Sequence, residues 1–150
     1  MSVRFEASTE ADIDQIKDWL ALDDSKPEGL PAEYWLTGSN GILVCRVSDD
    51  EGVVLYLRCE MEDDLIRFHA LFIPGDTNRK RIAVLLTNAF PQFFQHMVTE
   101  YCAEGMVMMT GSEDLARFMT TKFGFERVEG TNDYVLKTSL EPVAVDCGTF

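Results

Sequence analysis

Residues 65–88 read Leu-Ile-Arg-Phe-His-Ala-Leu-Phe-Ile-Pro-Gly-Asp-Thr-Asn-Arg-Lys-Arg-Ile-Ala-Val-Leu-Leu-Thr-Asn, and the fold turns on how this stretch divides. Leu65 to Ile73 is rich in β-branched and aromatic residues and stops at Pro74-Gly75-Asp76, where proline lacks the N–H that a ladder requires. It reads as a strand. Beyond the stop, Ile82, Leu85, Leu86, Ala89, Phe90 and Phe93 recur every three or four residues, the spacing of one buried helix face. Asp76 or Thr77 is suited to cap that helix, at an end where backbone N–H groups and the helix dipole favour an anion.

Arg79-Lys80-Arg81 falls in the first turn, where each cation opposes the dipole at about 0.3–1 kcal/mol. In a chain with 13 Lys+Arg against 26 Asp+Glu, such a triplet fits two readings. Either it faces an anionic ligand, or it is a solvated turn paired with nearby carboxylates.

Working outward, Met106-Val107-Met108-Met109-Thr110 is a short apolar strand expected in the interior of the sheet. Ser112 then caps a helix over 113–123, closed by Gly124 as a left-handed C-cap. Phe125–Val128 and Tyr134–Thr138 form a closing hairpin, and 140–150 reads as a tail after a single domain over 1–139. Pro91 should kink or end the helix begun near Asn78. Upstream, Val3–Ala7 is a first strand, and Thr9 with Asp12 forms a capping box for a helix burying Ile13, Ile16, Trp19 and Leu20. Residues 21–41 are broken by Pro27, Gly29, Pro31, Gly38 and Gly41, leaving room for a short helix at Ala32–Leu36. Strands at 42–48, 53–62 and 65–73, joined by short polar turns, make an antiparallel meander.

At 150 residues the chain suffices for one core. No apolar run reaches the roughly 18 residues of a membrane span, and no apolar leader opens the sequence. A net charge of −13 argues against nucleic acid and suits a cationic partner such as a basic peptide or polyamine. Cys45, Cys59, Cys102 and Cys147 show no metal spacing and no disulfide framework, so no metal and a reduced, cytoplasmic setting are expected.

Two segments carry a family resemblance. Leu71 to Ala83 resembles the acetyl-CoA-binding motif of the GNAT N-acetyltransferases. Ile73 falls on the strand-end valine, Asn78 on the Gln/Arg and Ala83 on the final Gly/Ala, with Arg79 and Arg81 where glycines are usual. Ala116-Arg117-Phe118-Met119-Thr120-Thr121-Lys122-Phe123-Gly124-Phe125 is similar to the family's C-terminal motif, with Thr120 at the usual tyrosine and Glu113 at the usual asparagine. The resemblance implies an α/β (α+β) fold with a mixed, mostly antiparallel central sheet flanked by helices. It further implies that strand 65–73 parts from strand 106–110 to leave a V-shaped cleft.

By the same resemblance acetyl-CoA is the co-substrate. Ile73 meets the pantetheine, and Asn78, Arg79, Lys80, Arg81, Ile82 and Ala83 meet the pyrophosphate; either the arginine side chains replace the close backbone approach that glycine allows, or the motif is degenerate. His69 shares a strand face with Leu65, Arg67, Leu71 and Ile73, and its chemistry suits a base toward an amine. A half-buried structural histidine is the alternative. Glu60 and Glu62 are further candidate bases, and Thr120 stands where the family places a general acid. Two functions follow: an N-acetyltransferase attacked directly by an amine, or a GNAT-like domain without catalysis that acts in binding or assembly, as in tailed phages. The hairpin after Gly124 suits a homodimer.

Overall fold

The structure is a computed structural model and describes residues 2–23 and 31–138. The expected tail at 140–150 and the breakers Pro27 and Gly29 lie outside the described residues. Among the described residues the chain is a mixed α+β protein with three α-helices and seven strands in the order β1-β2-β3-β4-β5-β7-β6. The strands are β1 Arg4–Glu6, β2 Leu43–Asp49, β3 Gly52–Glu62, β4 Leu65–Phe72, β5 Gly105–Met109, β6 Glu126–Arg127 and β7 Asp133–Lys137. The helices are α1 Ile13–Leu22, α2 Arg79–Glu100 and α3 Glu113–Phe123. No described helix is long and apolar enough to cross a membrane.

The chain divides into two compact units, one running to Glu60 and including Phe68–Ala89, the other formed by Met61–Arg67 and the chain from Phe90 onward. In the first unit, β1 pairs antiparallel with β2 and β2 with β3. Ile16, Trp19, Trp35, Tyr56 and Leu71 form its core, with Ile13 and Leu20 partly buried against them. The helix face expected from spacing is therefore the one that packs. Asp12, almost fully buried, ties α1 to the sheet. Its carboxylate accepts from the Thr9 N–H at 2.9 Å, the Tyr56 hydroxyl at 3.0 Å and Arg46 at 3.2 Å. The short helix expected at 32–36 is a 3-10 turn, Ala32–Trp35, held by Ser8 Oγ donating to the Trp35 carbonyl at 2.6 Å and by the Thr37 N–H donating to the Ser8 carbonyl at 2.9 Å.

In the second unit β4 and β5 run parallel, with Leu65, Ile66 and Arg67 opposite Gly105, Met106 and Val107. β5 then pairs antiparallel with β7, and β7 with β6, so β5 is interior as expected. α3 begins where Ser112 Oγ accepts from the Leu115 N–H and ends at Gly124, whose φ of +87° is readily reached only without a Cβ. Phe125 follows, fully buried beside Phe90 at 5.7 Å between ring centroids. Pro91 sits inside the continuous α2 rather than ending it. Proline has no N–H, so the Thr87 carbonyl four residues earlier loses its helical donor while the turns on either side keep theirs.

Cys102 is disulfide-bonded, although the cysteine spacing indicates no disulfide framework; sequence spacing does not report the tertiary approach such a bond needs. Cys45 and Cys59 are free and buried, and burial pushes the Cys45 thiol up to about 12.

Gly105 is a close approach of two backbones. A Cβ there would run into the Leu136 carbonyl and lie 2.8 Å from the Lys137 Cα. Gly105→Ala is expected to lower stability by about 3 kcal/mol, read as a drop in the denaturant midpoint; an unchanged midpoint would show that the β5–β7 spacing is soft.

Candidate functional site

The residues suggested for the cofactor all lie in the first unit. The Ile73 N–H donates to the Val54 carbonyl at 2.8 Å, so Ile73 directs its amide toward β3. Backbone direction alternates along an antiparallel strand, which leaves the N–H and C=O groups of Ala70 and Phe72 pointing away from β3. The ladder to β5 reaches only Arg67, while β4 runs on to Phe72. Ile73, expected at the pantetheine, thus spends its N–H on β3, and the β4 backbone groups turned away from β3 are those of Ala70 and Phe72.

The turn after β4 is not the open cradle that the motif implies. Gly75, at φ +101°, leads into a 3-10 turn over Asp76–Asn78 without a side-chain cap from Asp76 or Thr77. Instead the Asn78 side chain donates to the Pro74 carbonyl at 2.7 Å, and its N–H donates to the Gly75 carbonyl at 3.0 Å. The Arg79 N–H is likewise spent on Asp76. An expected donor set for pyrophosphate is thus largely consumed within the turn itself. Ile82 and Ala83 are half-buried along the α2 side of it.

The basic triplet divides by environment. Arg81 grips Asp49 with two hydrogen bonds of 2.7 Å and also donates to the Gly52 carbonyl at 3.1 Å. A register shift between Val47 and Ser48 breaks the alternation of β2, so that Val47, Ser48 and Asp49 are all buried. The hydrogen bonds from Arg81, opposed by burial, hold the Asp49 carboxyl down at about 2. Arg81, expected at the pyrophosphate, thus has its fork on a carboxylate of this chain. Arg79 and Lys80 remain exposed, with Arg79 at 3.3 Å from the still more exposed Asp76.

A second cluster lies on the face of β3 and β4 that the Ala32–Trp35 turn covers. Counting back from the Ile73–Val54 bond toward the hairpin turn at Asp63-Asp64 puts Leu71 opposite Tyr56 and His69 opposite Arg58. Arg58 is buried at 4% exposure, so its charge must be matched. It donates to Glu60 at 3.0 Å, to the Tyr34 carbonyl at 2.9 Å and to Ser39 Oγ at 2.7 Å, and its guanidinium carbon sits 3.9 Å from the Tyr34 ring centroid. The half-buried His69 meets the same ring edge-on, 6.0 Å between centroids at 73°. Burial, and then the nearby Glu60, raise the Tyr34 phenol above its usual range.

Of the four candidate catalytic residues, His69 and Glu60 share this face, with Glu60 already neutralised by Arg58. Glu62 and Thr120 belong to the second unit. Glu62 is paired with Arg67, which also holds Asp133 at 3.0 Å. Thr120 is exposed on α3, where its carbonyl accepts the C-capping Gly124 N–H. Tyr34, Arg58 and Asp49 went unselected in the sequence. Arg58 carried a signal, as the lone charge within the apolar run Val53–Cys59. Among the described residues no group of three His, Cys, Asp or Glu side chains is placed to hold a metal ion.

No known protein family matches the chain, and no curated protein matches it.

Proposed function

We propose that the chain is a GNAT-type, acetyl-CoA-dependent N-acetyltransferase that acetylates an amine. The observation that carries this reading is the backbone of β4 past Arg67, where Ala70 and Phe72 turn their polar groups away from β3 after the β5 ladder has ended. Such a strand edge binds an extended chain of amides by β-type pairing, and a pantetheine arm is a chain of that kind. The exposed Arg79 and Lys80 lie one turn further on, suited to phosphate as side-chain cations. Bound acetyl-CoA supplies an activated thioester to the acceptor. On the protein side, His69 takes the proton that the acceptor amine must lose, and Tyr34 with the Arg58–Glu60 pair forms the wall beside it.

A second reading, a GNAT-like domain without catalysis that serves in binding or assembly, is favoured by the capture of Arg81 by Asp49 and by the donors spent inside the turn at 75–79. Titration calorimetry separates the two. Acetyl-CoA binding supports the enzyme, whereas millimolar acetyl-CoA giving neither heat nor a thermal shift would leave the non-catalytic reading. With binding established, His69→Gln is expected to lower turnover of a diamine or lysine-rich peptide by roughly a hundredfold at nearly unchanged cofactor affinity. Equal turnover would pass the proton to Glu60 or solvent.

A further inference from the structure

We infer that Tyr34 is a positioning residue for His69: its ring, clamped by Arg58, fixes the plane and direction of the imidazole. The inference rests on reading His69 as the proton acceptor. Its basis is the way Arg58 is used. A buried ion pair adds little to stability compared with apolar packing of the same volume, so four directed contacts from the guanidinium of a residue only 4% exposed need another purpose. What they supply is orientation. One nitrogen holds the Tyr34 carbonyl at 2.9 Å and Ser39 Oγ at 2.7 Å, two others hold Glu60 at 2.9 and 3.0 Å, and the planar fork lies against the Tyr34 ring.

The segment that carries Tyr34 is itself anchored. Trp35 beside it is fully buried, and Ser39 Oγ donates to the Leu36 carbonyl at 2.8 Å. Tyr34 is therefore a fixed wall rather than a swinging side chain, and the imidazole that meets its edge at 73° inherits that fixity. An aromatic edge against an aromatic ring is a directional contact, and a base must be held closely to the line of proton transfer.

The test uses the full chain with Tyr34→Leu, Tyr34→Phe and His69→Gln. Tyr34→Leu is expected to lower kcat by roughly ten- to a hundredfold with KM and CoA affinity little changed, and Tyr34→Phe to recover most of the loss, because the ring rather than the hydroxyl meets His69. The chain has two histidines, so ring signals of His69 and His96 are readily assigned in a long-range proton–nitrogen spectrum. Tyr34→Leu should move the His69 signals and leave those of His96 in place. Full kcat in a folded Tyr34→Leu protein, or His69 signals that do not move, overturns the inference. Should Tyr34→Leu not fold, Arg58→Lys keeps the charge and loses the fork, and unmoved His69 signals there overturn it equally. If His69→Gln turns over normally, the base assignment fails and takes the inference with it, and that result is recognisable because His69 signals would still respond to Tyr34.

Discussion

Replacing Asp49 with alanine is expected to destabilise the protein by about 3–5 kcal/mol, the range for removing one partner of a buried ion pair and leaving the other charge uncompensated. Asp49 is 3% exposed and receives two bonds of 2.7 Å from Arg81, which would keep its charge with only the Gly52 carbonyl and the more distant Glu51 carboxylate near it. Trp19 and Trp35 lie in the same unit and report its unfolding in denaturant. The pH dependence has a definite sign. The Asp49 carboxyl is lowered from 3.8 to about 2, so its contribution is complete above the unfolded value and is lost as pH falls through the folded one. That contribution is roughly 2 kcal/mol, and Asp49→Asn should flatten the corresponding part of the stability curve. A midpoint for Asp49→Ala within error of the parent would mean that the pair is incidental.

The second large effect concerns the basic turn. Replacing Arg79 and Lys80 together with alanine is expected to weaken CoA binding by about a hundredfold, since hydrogen bonds to charged groups contribute about 1.5–3 kcal/mol each and exposure reduces that. Raising the salt should narrow the difference. Arg81→Ala is expected to behave otherwise, lowering the unfolding midpoint while leaving the affinity of the folded protein near the parent value. Calorimetry at two ionic strengths, paired with denaturation curves, measures both. Equal affinity in the parent and the double variant would remove the triplet from the cofactor site.

Local signals were the legible part of this chain. Ser112 and Gly124 bracket α3 because a serine hydroxyl and a residue able to adopt positive φ satisfy helix ends wherever they occur. The spacing of Ile16 and Trp19 likewise marks a buried helix face without knowledge of its partner. What escaped is whatever depends on residues distant in sequence. Asp49 and Arg81 are 32 positions apart, and only the adjacency of their two turns decides that a cation apparently aimed at phosphate is a strut. The acidic run Asp49-Asp50-Glu51 facing a basic run of equal length was the available hint. The direction of the Ile73 amide was illegible for a subtler reason: periodicity tells which face a side chain takes, while the direction of each backbone N–H follows from which neighbouring strand holds it. Tyr34 escaped because an irregular stretch offers no period to read.

The two ends of the strand order are β1 and β6, three and two residues long, made of Arg4-Phe5-Glu6 and Glu126-Arg127. Each is too short and too charged to template a foreign strand, the usual protection of a sheet against growing edge to edge. A net charge of −13 adds repulsion between copies. Among the described residues the two ends of the sheet are thereby poor templates for edge-to-edge growth, and a contact between copies made at either end would rest on side chains rather than on a continued ladder.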